Sequence, residues 1–322
     1  MFSPFEPEAY FSAITSPEVP RQHLVNELWK YQVTHNPVVK TYAERLHSTL
    51  PVSLPISFFK SFELKDGDWD PAVVFESSGT TGQTPSRHFV KDSSWYNRIA
   101  LQGFFERFGD RKFRILALLP SYLERGNSSL VFMVNHWIET IGVEGSGFFL
   151  DNLDDLANEL RNAPQTPTLL IGVSFALLDL AERGDISLPD QTLIIETGGM
   201  KGRRKEMTRQ ELHQALREGL GATEIHSEYG MTELLSQAYT VDGFRFRPSS
   251  SLLVRISDLH LDRLNLPVGR VGRIQLIDLA NIHSCAFIAT DDLGRMHPDG
   301  TFEVLGRIDN AELRGCNLMY VG

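Results

Sequence analysis

A run of small polar residues, Ser77-Ser78-Gly79-Thr80-Thr81-Gly82, is the segment whose residue types point most directly to chemistry. Its glycines permit turns and a close approach of the backbone to a ligand. Hydroxyls and freed backbone N–H groups can hydrogen-bond phosphate oxygens. The run is not a Walker A loop, because no Gly-Lys-Ser/Thr follows it. By itself it is equally consistent with a phosphate loop and with a polar surface turn.

Three later segments carry related chemistry. Glu228-Tyr229-Gly230-Met231-Thr232-Glu233 follows an expected strand and should open a helix, where a hydroxyl and a carboxylate suit a nucleotide phosphate and its Mg²⁺. The alternative is a strand-to-helix turn with Thr232 as the N-cap. Thr290-Asp291-Asp292-Leu293-Gly294 and Gly306-Arg307-Ile308-Asp309 could each be only a turn. Four such segments in this order favour a nucleotide site.

Strands that alternate with helices must position these segments. Apolar runs predict buried strands at 113–119, 168–173, 192–196 and 222–227, and helical spacing predicts helices at 151–160, 175–181 and 206–220. This alternation predicts an α/β fold with mainly parallel sheets flanked by helices. Asp299-Gly300 predicts a hairpin in a β-rich C-terminal part. We therefore expect a helical segment at 1–50, an α/β nucleotide-binding core at 51–240 and a β-rich subdomain with a hinge-like end at 241–322.

Composition excludes several classes of protein. The 322 residues carry 31 basic and 41 acidic side chains, a formal charge of −10, which disfavours nucleic-acid binding. The N-terminus does not have the pattern of a signal peptide, and the apolar runs are too short for a membrane span. Two cysteines do not make a disulfide framework, so a cytoplasmic location is expected.

The four segments together resemble the adenylate-forming (ANL) superfamily, which includes acyl-CoA synthetases, peptide-synthetase adenylation domains and luciferases. Tyr229 to Glu233 matches its Tyr-Gly-x-Thr-Glu segment in full, whereas Asp291 replaces the usual glycine of Thr-Gly-Asp-Leu. Within it, the segment Pro55-Ile56-Ser57-Phe58-Phe59-Lys60 and the ending around Cys316 are most similar to LuxE-like acyl-protein synthetases. The resemblance implies the fold of the N-terminal domain of adenylate-forming enzymes, without a separate C-terminal lid domain.

The resemblance also implies a role for each matching residue. The loop from Ser77 to Gly82 would hold the β- and γ-phosphates of ATP. Gly198, Gly199 and Tyr229 would lie beside the adenine, and Gly230 and Met231 would also belong to the cofactor-binding residues. Thr232 would contact the α-phosphate and Glu233 would hold Mg²⁺. Asp292 would accept from the ribose hydroxyls, and Arg307 would lie near the ribose and phosphate. The family's C-terminal catalytic lysine has no counterpart, and Arg87 is the better candidate to replace it, ahead of Lys91.

The implied reaction is ATP-dependent activation of a fatty or similar carboxylic acid as its acyl-adenylate, followed by transfer to a thiol. Cys316 would be the protein's own acceptor, although a buried small side chain is the alternative, and Cys285 is expected in the core. The other acceptors are coenzyme A, in an acyl- or aryl-CoA ligase, and a carrier protein. An acyl reductase is an implied partner. A different class of function is a catalytically reduced nucleotide-binding subunit of a larger complex.

Overall fold

A computed structural model describes residues 6–77, 84–119, 127–150, 152–161, 166–186, 188–189, 191–198, 204, 207–259 and 265–308. The chain divides into two compact units. The first unit comprises Met1–Ile99, Thr232–Ser236 and Arg247–Gly322, and the second comprises Ala100–Met231 and Gln237–Phe246. In each unit, segments that are distant in sequence pack together.

The N-terminal part of the chain is helical, and local sequence explains where its helices begin. Pro7 and Pro37 occupy first-turn positions, where the missing N–H of proline costs no helical hydrogen bond. Asn36 caps a helix by accepting from the N–H groups of Val38 at 3.0 Å and Val39 at 3.2 Å. The elements up to residue 108 are α1 (Pro7–Thr15), α2 (Arg21–His35), α3 (Pro37–Arg45), β1 (Leu54–Pro55), α4 (Phe58–Ser61), β2 (Val73–Glu76), β3 (Arg87–Val90) and α5 (Ser93–Phe108).

The middle of the chain forms the parallel sheet of the second unit. Its elements are β4 (Arg114–Leu118), α6 (Ser129–Ile141), β5 (Gly147–Phe149), α7 (Leu153–Arg161), β6 (Thr168–Val173), α8 (Ser174–Ala181), β7 (Thr192–Thr197), α9 (Arg209–Leu220), β8 (His226–Tyr229) and β9 (Ala238–Thr240). The strands pair in parallel in the order β5, β4, β6, β7 and β8, and β9 pairs antiparallel with β8. Every residue of β4 and β6 is buried, as expected for a parallel sheet covered on both faces.

The last strands are β10 (Arg245–Pro248), β11 (Leu252–Ser257), β12 (Gly272–Asp278), β13 (Phe287–Met296) and β14 (Phe302–Arg307). In the first unit, β11, β12, β13 and β14 pair antiparallel in sequence order, and β1 pairs parallel with β13. The hairpin predicted at Asp299-Gly300 is confirmed, because it joins β13 to β14 with Met296 opposite Phe302. β2 and β3 form a separate antiparallel pair in which Glu76 lies opposite Arg87.

The predicted alternation of strands and helices is confirmed, with one correction after Tyr229. The predicted strands at 113–119, 168–173 and 192–196 agree with β4, β6 and β7 to within one residue at each end, whereas β8 begins four residues later than expected. The prediction of a helix that opens at Thr232-Glu233 is wrong, because the segment 231–237 has a turn at 232–233 and a bend at 235 and then leads into β9. Asp278 Oδ2 accepts from the N–H groups of Leu235 at 2.7 Å and Ser236 at 3.1 Å, which replaces the contacts of a helical first turn. Among the described residues, none of the helices has the length and apolar character needed to cross a bilayer.

Candidate functional site

Ser77, the first residue of the predicted phosphate loop, is hydrogen-bonded to Ser86 in the first unit. Ser77 follows β2 and Ser86 precedes β3. The N–H of Ser77 donates to the carbonyl oxygen of Ser86 at 3.0 Å, and the N–H of Ser86 donates to Ser77 Oγ at 2.8 Å. The hairpin β2–β3 therefore fixes both residues that flank the segment 78–85.

Glu233 is linked to the pair of Ser77 and Ser86 through a hydrogen bond with Ser86. The hydroxyl of the buried Ser86 hydrogen-bonds the Glu233 carboxylate, and Glu233 is itself only 5% exposed. Burial raises the pKa of Glu233, while the Ser86 hydrogen bond and the positive charges of Arg307 and Lys60 oppose that rise. A carboxyl group whose ionised form is disfavoured by burial and favoured by nearby cations is a typical feature of functional sites.

Asp292 and Arg307 lie side by side on paired strands of the first unit. Asp292 is opposite Arg307 in the register of β13 and β14, and Arg307 Nε lies 3.4 Å from Asp292 Oδ1. The Asp292 side chain is 11% exposed, whereas that of Arg307 is 79% exposed. Neighbouring Asp291 is exposed, and Arg273 Nη1 lies 3.4 Å from its Oδ1. The strand alternation thus gives the two aspartates different environments, and it is Asp292 that lies beside Arg307.

The second unit holds the other predicted nucleotide contacts at the carboxyl ends of β7 and β8. Ligands of open parallel sheets bind at this edge. Gly198, directly after β7, has φ 76°, a left-handed conformation that glycine adopts without strain. Tyr229, the last residue of β8, is buried against Phe246 with ring centroids 5.7 Å apart. Gly230 is exposed and Met231 is half-buried.

Two carboxyl groups, the buried Glu196 and the half-buried Glu228, lie on β7 and β8. The pKa of Glu196 is lowered, because hydrogen bonds from His213, Ser227 and Ser174 and the charge of Arg209 outweigh the effect of burial. Burial raises the pKa of Glu228 to about 7, the charge of Glu196 adds to that rise, and the Thr197 hydroxyl, which donates to the carboxylate, opposes it. Their environments therefore favour an ionised Glu196 beside a Glu228 that is protonated below neutral pH.

We predict that Glu228→Gln removes a pH dependence of stability. The folded protein holds the Glu228 proton up to about pH 7, whereas the unfolded chain releases it near pH 4.5. Folding stability contributed by this group is therefore lost as the pH rises from 4.5 to 7, by roughly 3 kcal/mol in total. The loss is measured as the change in the free energy of unfolding by denaturant between pH 5 and pH 8. The proteins compared are wild type, Glu228→Gln and the exposed control Glu144→Gln. Equal pH slopes in wild type and Glu228→Gln would contradict the assignment.

Gly230 accommodates the Glu228 carboxylate. A Cβ atom at position 230 would lie 2.1 Å from Glu228 Oε1, well inside van der Waals contact. Glu228 cannot swing away without losing the hydroxyl of Thr197. The glycine of the Tyr-Gly-Met-Thr-Glu segment is therefore explained by the acid two residues before it.

We predict that Gly230→Ala costs roughly 1–2 kcal/mol of stability in wild type, because Glu228 must give up its hydrogen bond. In a Glu228→Ala background the same change should cost close to nothing, since the clash is gone. A double-mutant cycle by denaturant unfolding measures this coupling. An equal cost in both backgrounds would mean that the backbone, not Glu228, requires glycine.

The structure thus brings together Ser77, Thr232, Glu233, Asp292 and Arg307 in the first unit and Gly198, Tyr229, Gly230 and Met231 in the second. The predicted site residues that lie outside the described residues are Ser78, Gly79, Thr80, Thr81, Gly82, Gly199 and Cys316. Arg87 lies over the ring of Phe89 at 5.4 Å, and Lys91 over that of Trp69 at 5.8 Å. The predicted core position of Cys285 is confirmed, since its side chain is fully buried.

Sequence reasoning missed Ser86, Lys60 and Glu228 as members of the site. Ser86 and Lys60 act on Glu233, and Glu228 lies between Thr197 and Gly230. A signal existed for two of them, because Lys60 ends the Pro55 to Lys60 motif and Glu228 directly precedes Tyr229. Nothing in the sequence distinguishes Ser86 from other serines.

The donor set of the first unit fits Mg²⁺. Within the described ranges, no three His, Cys, Asp or Glu side chains gather closely enough to hold a metal by themselves. Mg²⁺ takes oxygen ligands and commonly uses one or two carboxylates together with substrate phosphates and water. Glu233 supplies such a carboxylate, and Ser86 links it to Ser77, the first residue of the hydroxyl-rich sequence 77–82.

Comparison with solved structures identifies the fold as that of the adenylate-forming ligases. ATP-bound MatB from Rhodopseudomonas palustris matches with a TM-score of 0.57 and 20% identity over 75% of this chain and 49% of MatB. 2-Hydroxyisobutyryl-CoA ligase in its postadenylation state, in complex with 2-HIB-AMP, gives a TM-score of 0.67 and 12% identity over 89% of this chain and 67% of the ligase. The amide bond synthetase McbA from Marinactinospora thermotolerans gives a TM-score of 0.52 and 18% identity over 85% of this chain and 59% of McbA.

At these identities the similarity establishes the fold alone. This chain spans about half the length of the MatB structures that it matches. No protein-family model and no curated protein sequence matches the chain.

Proposed function

We propose that this protein is an ATP- and Mg²⁺-dependent enzyme that activates a carboxylic acid as its acyl-adenylate. The observation that carries the proposal is the link between the loop and the acid. Ser77, at the start of the loop, is bonded to Ser86, and Ser86 is bonded to the buried Glu233. A phosphate loop and a metal-binding carboxylate need this proximity, and a polar surface turn does not.

The chemistry needs positioning and charge neutralisation more than a general base. A carboxylate oxygen of the acid attacks the α-phosphorus of ATP, an O–P bond forms, and the bond to the β-phosphate oxygen breaks to release pyrophosphate. Bound Mg²⁺ would neutralise charge on the phosphates. Glu233 would hold the metal, Thr232 would donate to the α-phosphate, and Asp292 would accept from the ribose hydroxyls. Arg307, next to Asp292 and largely exposed, would contact ribose and phosphate.

A thiol is the acceptor that we propose for the second step. Its sulfur attacks the acyl carbonyl, the thioester bond forms, and AMP leaves with the electrons of the broken anhydride bond. LuxE-like self-acylation at Cys316, with a fatty acid as substrate and an acyl reductase as partner, rests on the motifs at 55–60 and around 316. The similarity to 2-hydroxyisobutyryl-CoA ligase supports coenzyme A as the alternative acceptor. A carrier protein is the third.

The first step is tested by exchange of labelled pyrophosphate into ATP. We expect exchange that depends on an added carboxylic acid and falls to background with EDTA, because Glu233 acts through a metal. A panel of acids of increasing chain length, with and without an aromatic ring, would find the substrate class. If ATP binds but no acid drives exchange, the protein is a nucleotide-binding subunit and the enzymatic proposal is wrong.

A further inference from the structure

His88 is a buried histidine that holds the main chain of Thr232. It lies on β3 opposite Phe75, is 1% exposed, and packs edge-on against Phe59 with ring centroids 5.6 Å apart. Its Nδ1 is 2.8 Å from the carbonyl oxygen of Thr232. A carbonyl can only accept, so Nδ1 carries the proton and donates it.

Asn281 holds the next carbonyl along the chain. Its side-chain Nδ2 donates to the carbonyl oxygen of Glu233 at 3.0 Å and to that of Cys285 at 3.0 Å. Its Oδ1 lies 3.1 Å from His88 Nε2. Asn281 is also 1% exposed, in the connection between β12 and β13. His88 and Asn281 therefore contact each other and hold two consecutive peptide carbonyls, and we call this pair the carbonyl clamp.

The carbonyl clamp is needed because the segment it holds has no regular structure. Thr232 and Glu233 form a turn within the non-helical segment 231–237, so helical hydrogen bonds do not fix them. Asp278 fixes the N–H groups of Leu235 and Ser236 from a second direction. Side chains from β3, from the end of β12 and from the β12–β13 connection thus make the main-chain hydrogen bonds that a helix would otherwise supply. A misplacement of about 1 Å at a reacting centre can cost on the order of 100-fold in rate.

We propose that His88 and Asn281 are positioning residues that fix Thr232 and Glu233 for the nucleotide phosphates and Mg²⁺. The inference rests on the proposed function, since it takes the roles of Thr232 and Glu233 from it. Within the carbonyl clamp the contact of Nδ1 with Thr232 is the stronger arm. Burial lowers the pKa of His88 to about 4, so the ring is neutral near pH 7 and its one proton is at Nδ1. Nε2 then has no proton to donate to Asn281 Oδ1, so that 3.1 Å approach is a packing contact and not a hydrogen bond.

Three substitutions separate the two arms of the ring. His88→Asn places an amide nitrogen near the position of Nδ1 and keeps a donor for Thr232. His88→Gln places its amide near the position of Nε2 and keeps only the contact with Asn281. His88→Leu removes both. Tyr31→Phe is the control for lost stability, because it removes a 2.6 Å hydrogen bond to Asp66 in the same unit and leaves the carbonyl clamp intact.

Two measurements are made on the full chain beside thermal unfolding of every variant. Calorimetry gives the ATP affinity with Mg²⁺ and with EDTA, and pyrophosphate exchange gives kcat and KM. For His88→Leu we expect the gain in affinity from Mg²⁺ to fall by about tenfold and kcat to fall by about 10- to 100-fold, with a smaller change in the calorimetric Kd for ATP in EDTA. His88→Asn should stay close to wild type, and His88→Gln should resemble His88→Leu.

The proposed positioning role of the carbonyl clamp is wrong if folded His88→Leu keeps the wild-type Mg²⁺ effect and the wild-type kcat. It is also wrong if kcat follows thermal stability across all variants, including Tyr31→Phe. If His88→Leu does not fold, the order of His88→Asn above His88→Gln decides instead, and equal values reject the proposal. Wild type that binds ATP with Mg²⁺ but shows no exchange refutes the proposed enzyme, while the Mg²⁺ effect still tests the carbonyl clamp. Wild type that binds no ATP refutes both.

Discussion

Glu233→Gln is expected to lower acid-dependent pyrophosphate exchange by at least about 100-fold without lowering the stability of the fold. The loss follows because an amide is a poor ligand for Mg²⁺ compared with a carboxylate. The unchanged or increased stability follows because burial raises the pKa of Glu233, which means that the folded protein holds its ionised form at a cost. Glutamine keeps an oxygen that can accept from the Ser86 hydroxyl and removes the buried charge.

The opposite responses of activity and stability distinguish a metal ligand from a structural acid. The matched control is Glu63→Gln, which neutralises an exposed glutamate of the same unit and should change neither quantity. Exchange and denaturant unfolding are measured on the same preparations. If Glu233→Gln retains exchange, the metal ligand is elsewhere. If it loses exchange only in proportion to unfolding, Glu233 is structural.

Cys316→Ala is expected to reduce hydroxylamine-sensitive labelling of the protein by more than about tenfold after incubation with ATP, Mg²⁺ and a radiolabelled acid. Neutral hydroxylamine cleaves thioesters, so the sensitive label reports acyl groups on sulfur. Pyrophosphate exchange should remain, because the adenylation step precedes the transfer. Cys316→Ala thus separates the two half-reactions.

Cys285→Ala is the matched control for that experiment. Cys285 is fully buried, and burial raises the pKa of its thiol to about 12, so it has almost no thiolate to accept an acyl group at neutral pH. The variant should label like wild type, although removing a buried sulfur will lower stability. Labelling that survives Cys316→Ala but not Cys285→Ala would refute self-acylation at Cys316. Label released to coenzyme A would favour the ligase alternative.

The parallel half of the fold could be predicted because short runs of neighbouring residues indicate its strands and helices. β4, β6 and β7 each contain a run of apolar residues, and Thr208 with Glu211 forms a capping box that starts α9. The path after Tyr229 could not be predicted in the same way. Leu235 and Ser236 bond to Asp278, which lies more than 40 residues away in sequence. A buried carboxylate from a distant strand overrides a local helix signal, and no window of neighbouring residues contains that information.

The site shows the same division between local and long-range information. Residue types at 229–233, 292 and 307 were sufficient to select candidates, and strand alternation distinguishes Asp292 from Asp291. The residues that position those candidates could not be predicted from the sequence. Ser86, His88 and Asn281 are single polar residues within ordinary stretches, and their importance comes from contacts across 48 to 193 positions. Pairing of β2 with β3, and of β12 with β13, is what gathers them.

The buried thiol of Cys285 makes the protein its own reporter of local opening. Its backbone carbonyl accepts from Asn281 Nδ2, so the sulfur and one arm of the carbonyl clamp share a segment. In a Cys316→Ala background, a thiol reagent can modify the native protein only when that segment opens, and the modification rate then measures the opening equilibrium. Nucleotide that stabilises Thr232 and Glu233 should slow the modification. The sequence therefore already contains, without any added dye or engineered label, a kinetic readout of how firmly the turn at Thr232 and Glu233 is held.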